Sequence, residues 1–272
     1  VQTCALPISD SFNRARLNES GTRVVEGYGI LQPRIGMSHE SARRSRLAAL
    51  FAGEPGVDPY AFAVSDPYQD AMGQGIFTGK GIFDADAFHK VLCSRIPDNR
   101  VLSHDLLEGG FLRAGLLSDI ELIDDHPATF YAHQKRLHRW VRGDWQLLPW
   151  LKKTGPDRFG RKTPIDLSGL TRWHIVDNLR RSLTAPALMA LLLAAPALPG
   201  PAARWYAVVP ATLLVPVVRQ CLAPFYCAAK PMRLAVTIGQ VAVSFLALPY
   251  QAALMADAVL RTLYRLYVSK KR

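Results

Sequence analysis

The residues best suited to chemistry fall in two short runs. Ser103-His104-Asp105-Leu106-Leu107-Glu108-Gly109 carries a carboxylate, Asp105, of the kind that takes a proton from an attacking hydroxyl. Further along, Arg136-Leu137-His138-Arg139-Trp140 offers two guanidinium groups and an indole. Arg136 and Trp140 are four residues apart and share one face of a predicted helix. The planar forks of Arg136 and Arg139 suit a diphosphate leaving group, and Trp140, with Trp145 nearby, suits stacking on a sugar or base. Together these types fit transfer of a glycosyl group from a nucleotide donor to a hydroxyl. Each run also has a structural reading. Asp105 to Glu108 has the form of a capping box with Asp105 as N-cap. A helix rich in Arg and Trp also fits the headgroup depth of a bilayer.

Three weaker patterns accompany them. Gly79-Lys80-Gly81 reads as a turn in which two glycines allow close backbone approach to a ligand, with Lys80 as a candidate diphosphate contact. Asp84-Ala85-Asp86 has the short acidic pattern by which many sugar-nucleotide transferases hold a divalent metal. It also opens a helix, where acids are favoured by the dipole, and that is the reading adopted here. Gly73, Gly75, Gly79 and Gly81 form neither a P-loop nor a dinucleotide fingerprint. Cys4, Cys93, Cys221 and Cys227 show no ligand spacing, and His133 and His138 do not share a helix face, so no zinc site is expected.

The elements that must position these groups divide the 272 residues into a polar part and an apolar part. From Leu183 to Ala256 the only charged side chains are Arg204, Arg219, Lys230 and Arg233. Three apolar stretches lie there, Leu183 to Leu198, Trp205 to about Ala229, and Leu234 to Ala256. The last is 23 residues without a charge, so two or three bilayer spans are expected. The net charge of +11 is concentrated between His133 and Arg181, where twelve Lys and Arg stand against four Asp. That block abuts the first apolar stretch and reads as a juxtamembrane cluster facing anionic lipid, and no nucleic-acid motif accompanies it. The distribution of Lys and Arg places the polar part on the cytoplasmic side. A third simple span would then put Arg261, Arg265, Lys270, Lys271 and Arg272 outside, so this stretch is expected to be re-entrant or interfacial unless the chain continues.

In the polar part, periodicity predicts a strand at Val24 to Leu31, a basic amphipathic helix at Ser38 to Phe51, and a loop from Gly53 to Asp70. A strand or turn follows at Gly75 to Phe83, then a helix at Ala85 to Leu92, a helix at Asp105 to Ala114, a strand at Leu117 to Ile123 and a long helix at Ala128 to Leu151. The expected fold class is α/β plus transmembrane helices. Its parts are an irregular N-terminal segment over residues 1–20, an α/β region over 21–182, and a membrane region with a basic amphipathic tail over 183–272.

Gly29-Ile30-Leu31-Gln32-Pro33-Arg34, Gly79-Lys80-Gly81-Ile82-Phe83-Asp84, the Ser103 to Gly109 run and His138-Arg139-Trp140-Val141-Arg142-Gly143-Asp144-Trp145-Gln146-Leu147-Leu148-Pro149-Trp150 resemble the glycosyltransferase region of cyclic β-1,2-glucan synthases. The resemblance runs from about Val24 to Tyr267, and its longest motif is highly specific. These enzymes are similar to processive family 2 transferases such as cellulose synthase. The resemblance implies the C-terminal half of a GT-A-like domain, with Asp105 on the family's catalytic-base aspartate and Arg136, Arg139 and Trp140 on its Q/R-x-x-R-W motif. It also implies UDP-glucose as donor, a growing glucan as acceptor, and a multi-pass protein of a bacterial inner membrane. A magnesium ion is implied as well, held by an aspartate pair that lies upstream of the matching region, so Asp84 and Asp86 are not its equivalent. The chain is accordingly read as cut at both ends. Two alternatives stand beside this reading: a related processive synthase making another β-glucan, and a non-catalytic membrane protein whose basic helix docks lipid or a partner.

Overall fold

The computed structural model describes residues 7–51, 66–98, 100–222 and 234–269. After a helical turn at residues 7–9, a small hairpin pairs β1 (Arg16–Leu17) with β2 (Val24–Glu26). Part of the segment expected to be irregular is therefore paired. The strand predicted over Val24 to Leu31 is split at Gly27, whose φ of +65° turns the chain into β3 (Ile30–Met37). The helix predicted over Ser38 to Phe51 is likewise two short ones, α1 (His39–Arg43) and α2 (Arg46–Phe51), and Ser45 Oγ accepts from Ala48 N at 2.9 Å to restart it.

Most of the predicted Gly53–Asp70 loop lies outside the described residues. Its end is helical, because Asp66 accepts from Tyr68 N at 2.8 Å and caps α3 (Pro67–Met72). Proline in the first turn forfeits no hydrogen bond there. Asp84 caps α4 (Ala85–Leu92) after the two-residue strand β4 (Ile82–Phe83). Next come α5 (Asp105–Leu112), β5 (Ala114–Asp124), α6 (Phe130–Gln146), a 3₁₀ turn at Leu148–Leu151 and a hairpin of β6 (Thr154–Pro156) and β7 (Lys162–Pro164).

The central sheet has the order β4-β3-β5. β3 runs antiparallel to β4 and parallel to β5, and the parallel pairing slips at Pro33/Arg34. Proline has no N–H for the ladder, so an irregularity there is expected. Ile30, Leu107, Phe111, Leu112 and Ile175 are buried in one core with Phe77, Leu147 and Trp150. At about 25 cal/mol per Å² this burial is the main force holding α5 and α6 against the sheet.

The apolar part is not separate from that core. α7 (Gly169–Ala194) is one helix of 26 residues, capped by Ser168 Oγ accepting from Thr171 N at 3.1 Å. Its first half supplies Ile175 and Leu179 to the core, and its second half is the first apolar stretch, so the helix crosses the expected junction at residue 182 unbroken. α8 (Ala202–Leu222) is the one described helix long and apolar enough to cross a bilayer by itself. Its 21 residues rise about 30 Å. The third stretch is two helices, α9 (Leu234–Leu246) and α10 (Leu248–Leu263), bent by 67° at Ala247. Only if that pair counts as one span are there two, and the first stretch does not qualify. α10 packs on α6 and α7. Val141 of α6 meets Met255, Ala258 and Val259 of α10, while Leu188, Val209 and Leu248 tie α7, α8 and α10 together.

Candidate functional site

Asp105 does not cap its helix. The N-cap is His104, with no side-chain cap bond, and Asp105 is the first helical residue. The capping-box geometry fails because the Asp105 carboxylate is engaged upstream, where Ser103 Oγ donates to Asp105 Oδ2 at 2.9 Å. Glu108 reaches back to His104 instead, with Nδ1 and Oε1 3.1 Å apart. Burial pushes the Glu108 carboxyl up, the His104 contact pulls it down, and the Asp105 charge adds to the rise.

The predicted Gly79-Lys80-Gly81 turn lies directly against that carboxylate. A Cβ on Gly79 would sit 3.0 Å from the Asp105 carboxyl atoms, and Gly79 has φ +91°, so glycine is required twice over. The turn is held by buried Gln32 of β3, whose Oε1 accepts from Thr78 N at 2.5 Å and from Thr78 Oγ1 at 3.0 Å. Lys80 is not a free cation here, because its ammonium pairs with Asp124 at the end of β5. Burial works to raise the Asp124 carboxyl, but the Lys80 hydrogen bond, the Asp125 N–H and the Lys80 and Arg136 charges hold it below its ordinary range.

On α6, Thr129 Oγ1 accepts from Ala132 N and starts the helix, which ends at Gln146 rather than at Leu151. The Arg136 guanidinium lies over the Trp140 ring at 4.7 Å, and its Nε is enclosed with no hydrogen-bond partner among the described residues. Burial lowers its pKa, with the Asp124 charge opposing and Arg139 adding. Arg139 is exposed. The sequence reading offered Trp145 as a stacking platform, and the structure corrects it. Its Nε1 donates to Ser182 Oγ of α7 at 2.9 Å, and its ring packs against the core.

Two contacts join the acid run to the Arg/Trp helix. Gln146 Oε1 accepts from Leu102 N at 2.5 Å, and a Cβ on Gly143 would sit 3.2 Å from Ser103 Cβ. The sequence reading missed Gln32, Ser103, Gly143 and Gln146 as positioning groups. Only their place inside the quoted motifs marked them.

Among the described residues, two groups of acids bear on metal binding. Asp84 Oδ1 accepts from Asp86 N and Ala87 N, both at 3.0 Å, so this carboxylate serves as a cap as expected and does not fit the metal pair of sugar-nucleotide transferases. His104, Asp105 and Glu108 bring ligand atoms within 4.8 Å of one another. His104 and Glu108 already satisfy each other, however, and an Asp105 bound to a cation would lose its basicity.

No family model matches the chain. It is 40% identical, over 274 aligned residues and 96% of its length, to the cyclic beta-(1,2)-glucan synthase NdvB of Rhizobium meliloti (strain 1021). The chain spans only 9% of that protein. Over nearly its whole length it is thus a relative of one segment of a cyclic β-(1,2)-glucan synthase, which bears out the resemblance its motifs carry.

Proposed function

We propose that this chain is the acceptor side of a membrane-bound inverting glycosyltransferase that polymerises glucose from UDP-glucose into cyclic β-1,2-glucan. The observation that carries the reading is the tethering of the Asp105 carboxylate, through Ser103, Leu102 and Gln146, to the helix that bears Arg136, Arg139 and Trp140. Similarity to a cyclic β-(1,2)-glucan synthase supplies the product class. Asp105 takes the proton from the 2-hydroxyl of the growing glucan as that oxygen attacks the anomeric carbon. The C–O bond to the diphosphate breaks on the opposite face, and inversion of an α-configured donor gives a β linkage. Arg139, already exposed, meets the departing diphosphate. Arg136 joins it when the donor draws its guanidinium away from the Trp140 ring. Trp140 then presents a free face to the sugar.

In the parent enzyme magnesium would serve the donor phosphates. The chain's own carboxylates do not supply the family's aspartate pair, so no step is derived through the metal. The α/β region is proposed as part of a GT-A-like domain on the cytoplasmic face of a bacterial inner membrane, with α8 crossing the bilayer. This piece alone is expected to be inactive.

The test is incorporation of radiolabelled UDP-glucose into polymer by membranes carrying the natural full-length protein, followed by linkage analysis. Asp105→Asn should lower the rate by about a hundred- to ten-thousand-fold, the usual contribution of a general base. Arg139→Lys should also fall severely, because an ammonium cannot grip a diphosphate with two parallel bonds. Near-parental synthesis by Asp105→Asn would sink the base assignment. A product without 1,2 linkages would move the enzyme to another β-glucan.

A further inference from the structure

Two residues along α6 is more than half a helical turn, so His138 and Arg142 lie on the face opposite Arg136 and Trp140. That second face is turned to α10. His138 Nε2 lies 2.8 Å from Asp257 Oδ2, and Arg261 binds the same carboxylate through Nη2 at 2.7 Å and Nε at 3.2 Å. The Asp257 carboxylate is therefore already engaged by both His138 and Arg261. Arg142 stands four residues beyond His138, and Arg265 four beyond Arg261, so the stripes bring three guanidinium groups to one end of the α6/α10 seam.

Asp257 pairs with Arg261 alone of these three, and no other acid among the described residues pairs with Arg142 or Arg265. Arg142 Nε is shut away from solvent without a hydrogen-bond partner, and Arg265 has no acidic partner among the described residues. Burial first, then the charges of Arg265 and Arg261, push the Arg142 pKa down, with Asp257 opposing. Like charges gathered at one end of a seam with no acid of their own attract an anion. The surroundings say which anion. Leu260, Tyr264, Tyr267 and Val268 are all more than half exposed beside the stripe, and Leu137, Val141, Met255 and Val259 form a dry floor under it. Tyrosine and arginine next to exposed aliphatic surface is the composition of a membrane–water interface.

We propose that Arg142, Arg261 and Arg265 bind the phosphate of an anionic phospholipid headgroup, with Leu260, Tyr264 and Val268 against its acyl chains. The site is separate from the Arg136/Arg139 face and does not depend on the synthase reading. Its occupation would hold α10 against the helix that carries the Arg/Trp motif.

The natural full-length protein is reconstituted in phosphatidylcholine nanodiscs containing a minority of phosphatidylglycerol, and the retained lipids are counted by native mass spectrometry. Wild type should keep phosphatidylglycerol in preference to phosphatidylcholine. Arg265→Gln, at the far end of the seam, should weaken that preference about fivefold, the effect of one basic side chain at an anionic surface. The triple change Arg142→Gln, Arg261→Gln, Arg265→Gln should abolish it. Lys152→Gln, Lys153→Gln, Lys162→Gln removes as much charge from exposed positions of the juxtamembrane block and should weaken the preference far less. Equal losses in the two triples would reduce the effect to a diffuse surface field and overturn the site. Displacement of the lipid by inorganic phosphate would overturn the lipid assignment, and absence of a preference in wild type would overturn the proposal.

Discussion

Asp144→Asn should stabilise the protein above neutral pH and flatten its pH dependence. Asp144 is enclosed on α6, where it accepts from Asn178 Nδ2 at 3.2 Å. Burial raises its carboxyl from an ordinary 3.8 to about 7, despite the Asn178 bond and the Arg181 charge, which both pull it down. Because the folded-state pKa lies above the unfolded one, the native protein holds this proton more tightly. The associated stability is fully present below about pH 4 and is lost as pH rises through about 7. A separation of about three pH units corresponds to about 4 kcal/mol at most, since water entering the site on ionisation recovers part of it. Asparagine keeps the carbonyl that accepts from Asn178 and never ionises. Thermal unfolding of the two proteins in detergent, followed by tryptophan fluorescence between about pH 5 and 8.5, isolates the effect. His133, driven down to about 4 by burial and by the Arg136 and His126 charges, works in the opposite sense. It is common to both proteins and cancels in their difference. The variant's advantage should already be about a third of its full size at the acid end and grow to about 10 °C at the alkaline end. Parallel curves, or a variant less stable at alkaline pH, would refute the reasoning.

Gly79→Ala should cost about 1–2 kcal/mol from its positive φ alone, and should also displace the Asp105 carboxylate, lowering synthesis more than donor affinity in steady-state kinetics. Gln146→Leu removes the acceptor for Leu102 N and should reduce kcat with little change in KM, while Gln146→Glu, which keeps an acceptor oxygen, should recover most of the rate. Ala258→Leu overfills the fully buried contact of α10 with Val141 and should cost about 1–3 kcal/mol in denaturant unfolding.

The chemistry was legible where residue type alone decides it, and illegible where a distant element supplies the partner. Asp105 and Arg139 could be singled out as candidates because an acid and an arginine carry their chemistry in the side chain itself. Lys80 was picked by the same logic, yet its ammonium is committed to Asp124, which is 44 residues away. The capping box was misread for a local reason. Ser103 precedes Asp105 by two residues and competes for its carboxylate, and spacing rules for Asp105 and Glu108 take no account of it. Helix α4 was read correctly because its start signal is self-contained, with the Asp84 carboxylate accepting from two N–H groups of its own first turn. The strands were harder. β3 is almost wholly buried through Pro33, so it lacks the alternation that marks a half-exposed strand, and its partner β5 lies eighty residues further along the chain.

The third apolar stretch shows what a count of uncharged residues leaves out. Twenty-three such residues satisfy a length rule, but the rule assumes one continuous hydrogen-bond ladder. Pro249 has no N–H to give to Phe245, so the ladder of α9 cannot pass through it, and proline instead takes its favoured place in the first turn of α10. The chain bends there by 67° and returns to α6, where Asp257 meets His138. Arg261 thereby ends beside α6, in the polar part of the molecule, through the carboxylate it shares with His138. The expectation of a simple span came from treating the stretch as straight, and the proline at the bend, Pro249, stands in the sequence.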